Sequence, residues 1–214
     1  MTAAVIADIV GSRRLRDRAA AQRELDEAIT RVEADVPLAV RPLRPIVGDE
    51  LQGVYPSLLT ASAALLLVRL ALPDGIECRF GVGIGELSDV PSVAVGTIAE
   101  GPAWWAAREA IDLVHRKQSR SLPNARTWVV AAEDADAQTR DAVRLANASF
   151  LSRDQLVSTM AERTRRLVYG RCLGRTQREL ADREGITQSA VSQALAASGG
   201  AMLVEGLRVL LAAE

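Results

Sequence analysis

Two aspartates, Asp8 and Asp49, could together hold a divalent cation, because each lies close to the end of a segment typical of a β-strand. Mg²⁺ takes one or two protein carboxylates and completes its octahedron with water and substrate phosphates. Glu50, the next residue, is either a third ligand or a solvated acid in a turn. The alternative for the two aspartates is an N-cap and a turn acid that bond to nearby backbone. The acids predict a magnesium site if the strand ends meet.

The loop that follows Asp8 could bind phosphate. It contains Gly11 and Ser12, and Arg13 and Arg14 come directly after them. Backbone N–H groups that precede a helix bind phosphate oxygens, and arginine adds charge-assisted hydrogen bonds. Together with the acids, the loop predicts a site for a nucleotide or another phosphorylated ligand, bound with Mg²⁺.

The elements that would position this site follow a simple order in the first half of the chain. Apolar runs of strand length alternate with longer helical stretches, and glycine or proline separates them. The order strand, helix, two strands, helix, strand is that of the ferredoxin-like palm. The predicted segments are residues 3–10, 15–34, 38–47, 51–55, 58–72 and 77–87.

Three glycines, Gly81, Gly83 and Gly85, lie on one face of the last of these strands. They leave room for a close neighbour, which is either a packed helix or a ligand. A helix over 102–114 and a strand over 127–132 follow, and residues beyond 135 are helical in composition. We therefore predict an α+β palm domain over residues 1–150, followed by an all-α domain over residues 151–214.

The segment QRELADREGITQSAVSQAL, residues 177–195, resembles the helix-turn-helix family of DNA-binding motifs. Gly185 suits the turn, Thr187 suits the N-cap of the second helix, and Val191 suits the shared core. Residues 161–195 carry seven arginines against four acids, so this segment is basic in a chain of net charge −1. The alternative is a helical hairpin that contacts another protein. The predicted DNA-binding residues are Arg175, Thr176, Gln177, Thr187, Gln188, Ser189, Ser192 and Gln193.

Composition excludes several other classes of protein. The 214 residues carry 26 basic and 27 acidic side chains, which excludes polybasic and acidic disordered tails. One histidine, His115, and two distant cysteines, Cys78 and Cys172, exclude a zinc site or a disulfide framework of usual spacing. The start lacks a cationic region, and the apolar run 58–72 is too short for a bilayer. We expect a cytoplasmic protein without a membrane partner.

Four blocks of sequence carry a family resemblance. Their order and spacing are similar to those of class III nucleotidyl cyclases, and over nearly the whole chain the sequence resembles the SatD family, a cyclase-type palm followed by a helix-turn-helix. The resemblance implies that Asp8 and Asp49 hold two metal ions and that Arg108 contacts the nucleotide and stabilises a transition state. The blocks are ADIVGS at 7–12, VGDELQG at 47–53, RFGVGIGEL at 79–87 and GPAWWAAREA at 101–110.

The departures from the cyclase pattern bear on activity. Trp104 stands where cyclases have a transition-state asparagine, Pro45 replaces the lysine that reads the base, and Thr97 stands near the place of that lysine's partner acid. Losing one transition-state donor costs about two to three orders of magnitude in rate. We therefore expect a DNA-binding regulator whose palm senses a nucleotide or related phosphorylated ligand, rather than an enzyme.

Such a regulator would bind double-stranded DNA as a homodimer, because one motif buries little DNA surface. The alternative is an enzyme of the class III cyclase type that performs Mg²⁺-dependent nucleotidyl or phosphoryl transfer, with Asp8 and Asp49 as its two-metal ligands.

Overall fold

A computed structural model describes residues 1–12, 15, 17–92 and 96–212, and Arg13 and Arg14 lie outside the described residues. The chain forms a mixed α/β structure. Its strands are β1 (Thr2–Ile9), β2 (Arg41–Val47), β3 (Glu50–Tyr55), β4 (Cys78–Gly85), β5 (Ser88–Ser92), β6 (Gly96–Glu100) and β7 (Thr127–Ala131). Its helices are α1 (Arg18–Asp35), α2 (Leu58–Ala71), α3 (Pro102–Arg120), α4 (Ala137–Ser158), α5 (Glu162–Cys172), α6 (Gln177–Glu184), α7 (Gln188–Ala197) and α8 (Gly200–Leu211).

The central sheet has the strand order β2-β3-β1-β4-β7. Neighbouring strands in this sheet are antiparallel, except for β4 and β7, which are parallel. The first four strands, with α1 and α2, follow the predicted βαββαβ order, so the palm arrangement is confirmed. Among the described residues, β5 and β6 pair only with each other. This hairpin was not predicted, because each of its five-residue strands has a single large aliphatic residue, Val90 or Ile98, and so shows no apolar alternation.

The two faces of the sheet bury alternate residues of β1. Ala3, Val5, Ala7 and Ile9 pack in the same apolar cluster as α1 and α2, and Ala4 and Ile6 pack against α3. Helix α2 is buried almost all round, because it lies between the sheet and the C-terminal helices. Strand β1 is therefore the central strand of a sheet covered on both faces, and Asp8 lies near its C-terminal end.

Helix α3 lies directly on the glycine face of β4. A Cβ atom at Gly81 would collide with the backbone of Ala107 and Ile111, and one at Gly83 with that of Ala103 and Ala107. The glycines therefore make room for a helix and not for a ligand, which decides between the two predicted alternatives. This close packing fixes the C-terminal end of α3 beside the end of β1 and the start of β4.

A buried ion-pair network joins α4 to the sheet. The Asp154 carboxylate accepts hydrogen bonds from Arg69 Nη1 of α2 at 2.8 Å and from the backbone N–H groups of Arg126 and Thr127 at 2.7 Å each. Burial lowers the pKa of Arg69 to about 10, and Asp154 opposes that shift. Helix α4 runs unbroken through residues 150–153, where the sequence predicts a domain boundary. The division into two domains stays a prediction.

Helices α6 and α7 are joined by a short turn. Gly185 ends α6 with φ of 65°, a left-handed conformation that glycine adopts without a steric penalty. Thr187 begins α7, and its Oγ1 accepts from Ala190 N at 3.1 Å. Val191 and Leu195 of α7 are buried against neighbouring helices. The turn and cap residues thus lie where the sequence predicts them.

Across the described ranges, no helix is by itself both long and apolar enough to cross a membrane. The pair α7 and α8 meets that requirement of length and composition only when the two are taken together, across a bend of 76°.

Candidate functional site

An open cleft of about 670 Å³ lies at the edge of the sheet where β1 ends. The end of β1 and its loop form one wall, the β2–β3 turn forms another, and the C-terminal half of α3 closes a third. Of the predicted ligand-binding residues, the structure brings Asp8, Gly11, Ser12, Asp49 and Glu50 together in this cleft.

Asp8 is held by an arginine from the neighbouring strand. The antiparallel register places Asp8 of β1 opposite Arg79 of β4. Arg79 donates from Nε to Asp8 Oδ1 at 2.8 Å and from Nη2 to Asp8 Oδ2 at 2.9 Å. Its Nη1 donates to Gln118 Oε1 of α3 at 3.0 Å. Both carboxylate oxygens of Asp8 therefore face the guanidinium of an arginine residue that is only 8% exposed.

Glu50 is held by Arg108, which reaches it from α3. The two terminal nitrogens of Arg108 donate to the two oxygens of Glu50 at 2.6 Å each. This pairing lowers the pKa of Glu50 and raises the pKa of Arg108. Arg108 does not line the cleft itself, so its predicted nucleotide contact stays a prediction, and its described partner is an acid of the same chain.

Asp49, the third acid of the cleft, also lies near an arginine. Arg18 Nη2, at the start of α1, is 3.7 Å from Asp49 Oδ1. Both side chains are partly exposed, so this contact is screened by solvent. Each of the three acids predicted to bind metal therefore has a cationic neighbour from a different element of the fold.

As arranged, these acids do not fit a divalent-cation site. In the described part of the chain, no three His, Cys, Asp or Glu side chains converge closely enough to hold a metal ion. A divalent ion bound to Asp8 would lie close to Arg79. The double charge of the ion and the single charge of the guanidinium, about 5 Å apart, repel by about 6–7 kcal/mol at an effective dielectric of about 20. The guanidinium beside Asp8 therefore opposes binding of a divalent ion at this carboxylate.

Four polar residues of the cleft were not predicted from the sequence: Arg79, His115, Gln118 and Ser119. The alternation in β4 places Arg79 on the same face as its glycines, which is a usable signal once the pairing of β1 with β4 is known. His115 and Gln118 lie three residues apart on α3, beyond the predicted end of that helix at residue 114. The predicted helix ends at residue 114, so the turns of α3 that face the cleft lie outside it.

The α6–α7 pair presents a second surface. Thr176, Thr187, Gln188, Ser189, Ser192 and Gln193 are exposed, and the opposite face of α7 is buried. Arg175 and Gln177 are half-buried, and the carbonyl oxygen of Arg175 accepts a hydrogen bond from Arg171. Six of the eight predicted DNA-binding residues therefore lie at the surface.

The arginines near this surface fall into two groups. Arg165 and Arg166 are engaged by acids, with partners that include Asp74 and Glu184. By contrast, three arginines are exposed and make no ion pair within 4 Å with any residue the structure describes. These are Arg163, Arg178 and Arg183.

A five-stranded mixed sheet with a polar cleft at one edge and a helical C-terminal part defines an α/β protein of the palm type. The chain belongs to the SatD family, whose sequence model matches residues 2–207. No curated protein sequence matches the chain.

Solved structures that are similar to the chain include the following cyclases. A bacterial light-regulated adenylyl cyclase is 12% identical, with a TM-score of 0.41, over 54% of this chain and 70% of that one. The dimeric guanylyl cyclase domain of a fusion protein from the aquatic fungus Blastocladiella emersonii is 13% identical, with a TM-score of 0.39, over 52% and 72%. The adenylyl cyclase CyaB from P. aeruginosa is 13% identical, with a TM-score of 0.35, over 55% and 70%.

Proposed function

We propose that the protein is a DNA-binding transcriptional regulator whose cleft senses a nucleotide or related phosphorylated ligand. The observation that carries the proposal is the two-sided character of α7. Gln188, Ser189, Ser192 and Gln193 are exposed on one side of this helix, and Val191 and Leu195 are buried on the other. Short polar side chains at the start of such a helix reach base edges when the helix enters the major groove.

The charge around α7 supports the same function. The exposed arginines Arg163, Arg178 and Arg183 lie on α5 and α6, the helices packed with α7. Phosphate contacts of this kind position a protein on the duplex and make its affinity fall steeply with salt. The surface therefore combines base-reading and phosphate-binding side chains in neighbouring helices.

The regulator is proposed to act as a homodimer through α8. Met202 and Val209 lie seven residues apart on one face of α8 and are highly exposed, with Glu205 and Arg208 between them. In an antiparallel pairing of two copies, Met202 of one copy meets Val209 of the other, and the opposite charges of Glu205 and Arg208 complement each other.

One face of a 12-residue helix buries less than the roughly 800 Å² per partner of a stable interface, so the dimer is weak in free solution. Binding to two half-sites on DNA reinforces it.

A chain of contacts links the cleft to the C-terminal helices. Helix α1 begins at the cleft, where Arg18 lies near Asp49, and ends at Asp35, whose Oδ2 accepts from Tyr169 Oη of α5 at 2.8 Å. A ligand regulates DNA binding only if it binds the competent and incompetent states with different affinities. Displacement of α1 on ligand binding would bear directly on α5.

The proposal is tested by selecting bound duplexes from a random pool, with and without nucleotides. We expect enrichment of one sequence with two half-sites about one helical turn apart, bound with a steep salt dependence. Absence of any enriched sequence, together with salt-independent binding, would overturn the proposal. A new product after incubation with nucleoside triphosphates and Mg²⁺ or Mn²⁺, lost in Asp49→Asn, would instead establish the enzyme.

A further inference from the structure

Arg79 occupies an unusual position for an arginine, since it lies almost buried at the floor of a polar cleft. A guanidinium carries five N–H hydrogens. Two of these bind Asp8 and one binds Gln118, so one hydrogen on each terminal nitrogen has no acceptor among the described residues. Arg79 is therefore a fixed guanidinium, with its charge paired with Asp8 and with two remaining N–H donors.

The surroundings of Arg79 hold this charge in place. The strand register fixes its backbone opposite Asp8, and Asp8 and Gln118 orient its side chain from two elements. Ser12 and His115 line the same cleft and add a hydroxyl and an imidazole N–H as further donors. A preorganised guanidinium with neighbouring donors is the arrangement that recognises the oxygens of phosphate or carboxylate.

We infer that the Arg79 guanidinium takes the place of a divalent cation beside Asp8, so that the cleft binds a phosphate group directly and without metal. In this arrangement Asp8 orients Arg79, and Arg79 contacts the ligand. The inference rests on the proposed function, because it takes the cleft to be the ligand site of the regulator. It names the chemistry of that ligand: an oxyanion that does not need Mg²⁺ as its counterion.

The remaining acids of the cleft agree with this assignment. Glu50 is paired with Arg108 in a bidentate contact, and Asp49 lies near Arg18. Asp8, Asp49 and Glu50 carry three negative charges, and Arg79, Arg18 and Arg108 carry three positive ones. The acids therefore need no further cation for neutrality.

The test measures binding of inorganic phosphate and of Mn²⁺ to the intact protein. Phosphate binding is followed through amide chemical shifts of the cleft residues, once in excess Mg²⁺ and once in EDTA. Mn²⁺ binding without phosphate is followed by electron paramagnetic resonance. We expect the phosphate affinity to be the same in Mg²⁺ and EDTA, and we expect no stoichiometric Mn²⁺ binding.

Two variants test the role of Arg79 directly. Arg79→Met is expected to weaken phosphate binding by at least about tenfold, the effect of losing hydrogen bonds to a charged donor, and to gain Mn²⁺ binding because Asp8 is released. Arg79→Lys keeps the charge without the bidentate geometry, so it is expected to weaken phosphate binding without gaining Mn²⁺ binding. Arg144→Met, which removes an exposed ion pair with Asp141, is the control and should behave like the parent.

The possible results distinguish a failure of metal-free phosphate binding from a failure of the proposed sensing role. Phosphate binding that requires Mg²⁺, or Mn²⁺ binding by the parent protein at the cleft, overturns the inference and leaves the sensor intact. No phosphate binding under either condition overturns both the inference and the sensing role of the cleft. If Arg79→Met does not fold, the parent and Arg79→Lys still decide between these results.

Discussion

Asp8 and Arg79 form a bidentate ion pair across two neighbouring antiparallel strands, with N–O distances of 2.8 and 2.9 Å. The pair lies at the end of β1, where the sequence predicts a metal ligand. Because both carboxylate oxygens accept from the guanidinium, Asp8 has a structural partner that the family resemblance does not imply. The cleft therefore has room for a ligand, but the carboxylate of Asp8 is occupied by Arg79 and is not arranged to hold a metal ion.

The polar face of α7 gives the first prediction. Gln188→Ala and Gln193→Ala should each weaken binding to the selected duplex by about 1–3 kcal/mol, because a side chain that bonds a base edge contributes about that much discrimination. The loss should depend on the base pair opposite the altered residue. Fluorescence anisotropy against a panel of single-base variants measures it.

Gln138→Ala is the matched control, since Gln138 is an exposed glutamine on α4. If the two α7 variants and the control bind every duplex alike, α7 does not read bases.

An exposed arginine of α6 gives the second prediction. Arg178→Ala should weaken binding to all duplexes about equally and reduce the slope of log K against log salt by about 1, because it removes one phosphate contact. A salt titration of the same anisotropy assay measures the slope. Arg144→Ala is the control, because Arg144 lies on α4 in an exposed pair with Asp141. This variant should leave the slope unchanged. An unchanged slope in Arg178→Ala would remove Arg178 from the interface.

The buried network at α4 gives the third prediction. Asp154→Asn should destabilise the fold by about 3–5 kcal/mol, because it leaves the buried Arg69 and Arg153 without their counterion. Urea unfolding followed by circular dichroism measures the loss. Asp141→Asn, which breaks an exposed pair with Arg144, should change stability by less than about 1 kcal/mol. Equal effects of the two substitutions would show that Asp154 does not anchor α4.

The Glu50–Arg108 pair gives a pH prediction. The pKa of Glu50 is lowered below its ordinary value of 4.5, so the pair stabilises the folded state above that pH and the contribution is lost as the pH falls through the lowered pKa. Because both side chains are partly exposed, the contribution at pH 7 is about 0.5–1 kcal/mol. Glu50→Gln should therefore lower stability at pH 7, and the difference should disappear once the pH is below the lowered pKa of Glu50.

Urea unfolding of the parent and the variant at several pH values gives this difference. Arg144→Ala again serves as a control for a fully solvated pair. A Glu50→Gln difference that grows as the pH falls would have the opposite sign and would contradict the assignment.

The exposed face of α8 gives the fifth prediction. Met202→Glu and Val209→Glu should shift a concentration-dependent dimer to monomer, because each buries a charge against apolar side chains of a second copy. Sedimentation velocity over a range of concentrations measures the shift. Leu145→Glu on α4 is the control, because Leu145 is as exposed as Met202, at 72% each. A parent protein that stays monomeric both alone and on the selected duplex would rule out a dimer through α8.

The amino-acid sequence by itself determined the order of elements in the palm, since alternating apolar residues and glycine-rich breaks depend only on local spacing. It also placed the Gly185 turn and the Thr187 cap, because both follow from backbone conformations that few residue types adopt. Those features are local, and local physics was sufficient for them.

The tertiary structure decided which residues meet at the cleft. That Gly81 and Gly83 receive α3, that Arg79 neutralises Asp8, and that Arg108 reaches Glu50 all depend on strand register and helix packing between segments far apart in sequence. An aspartate in the sequence does not show whether its carboxylate contacts a metal ion or a guanidinium. Only the pairing of β1 with β4 distinguishes the two, because it places Arg79 within hydrogen-bonding distance of Asp8.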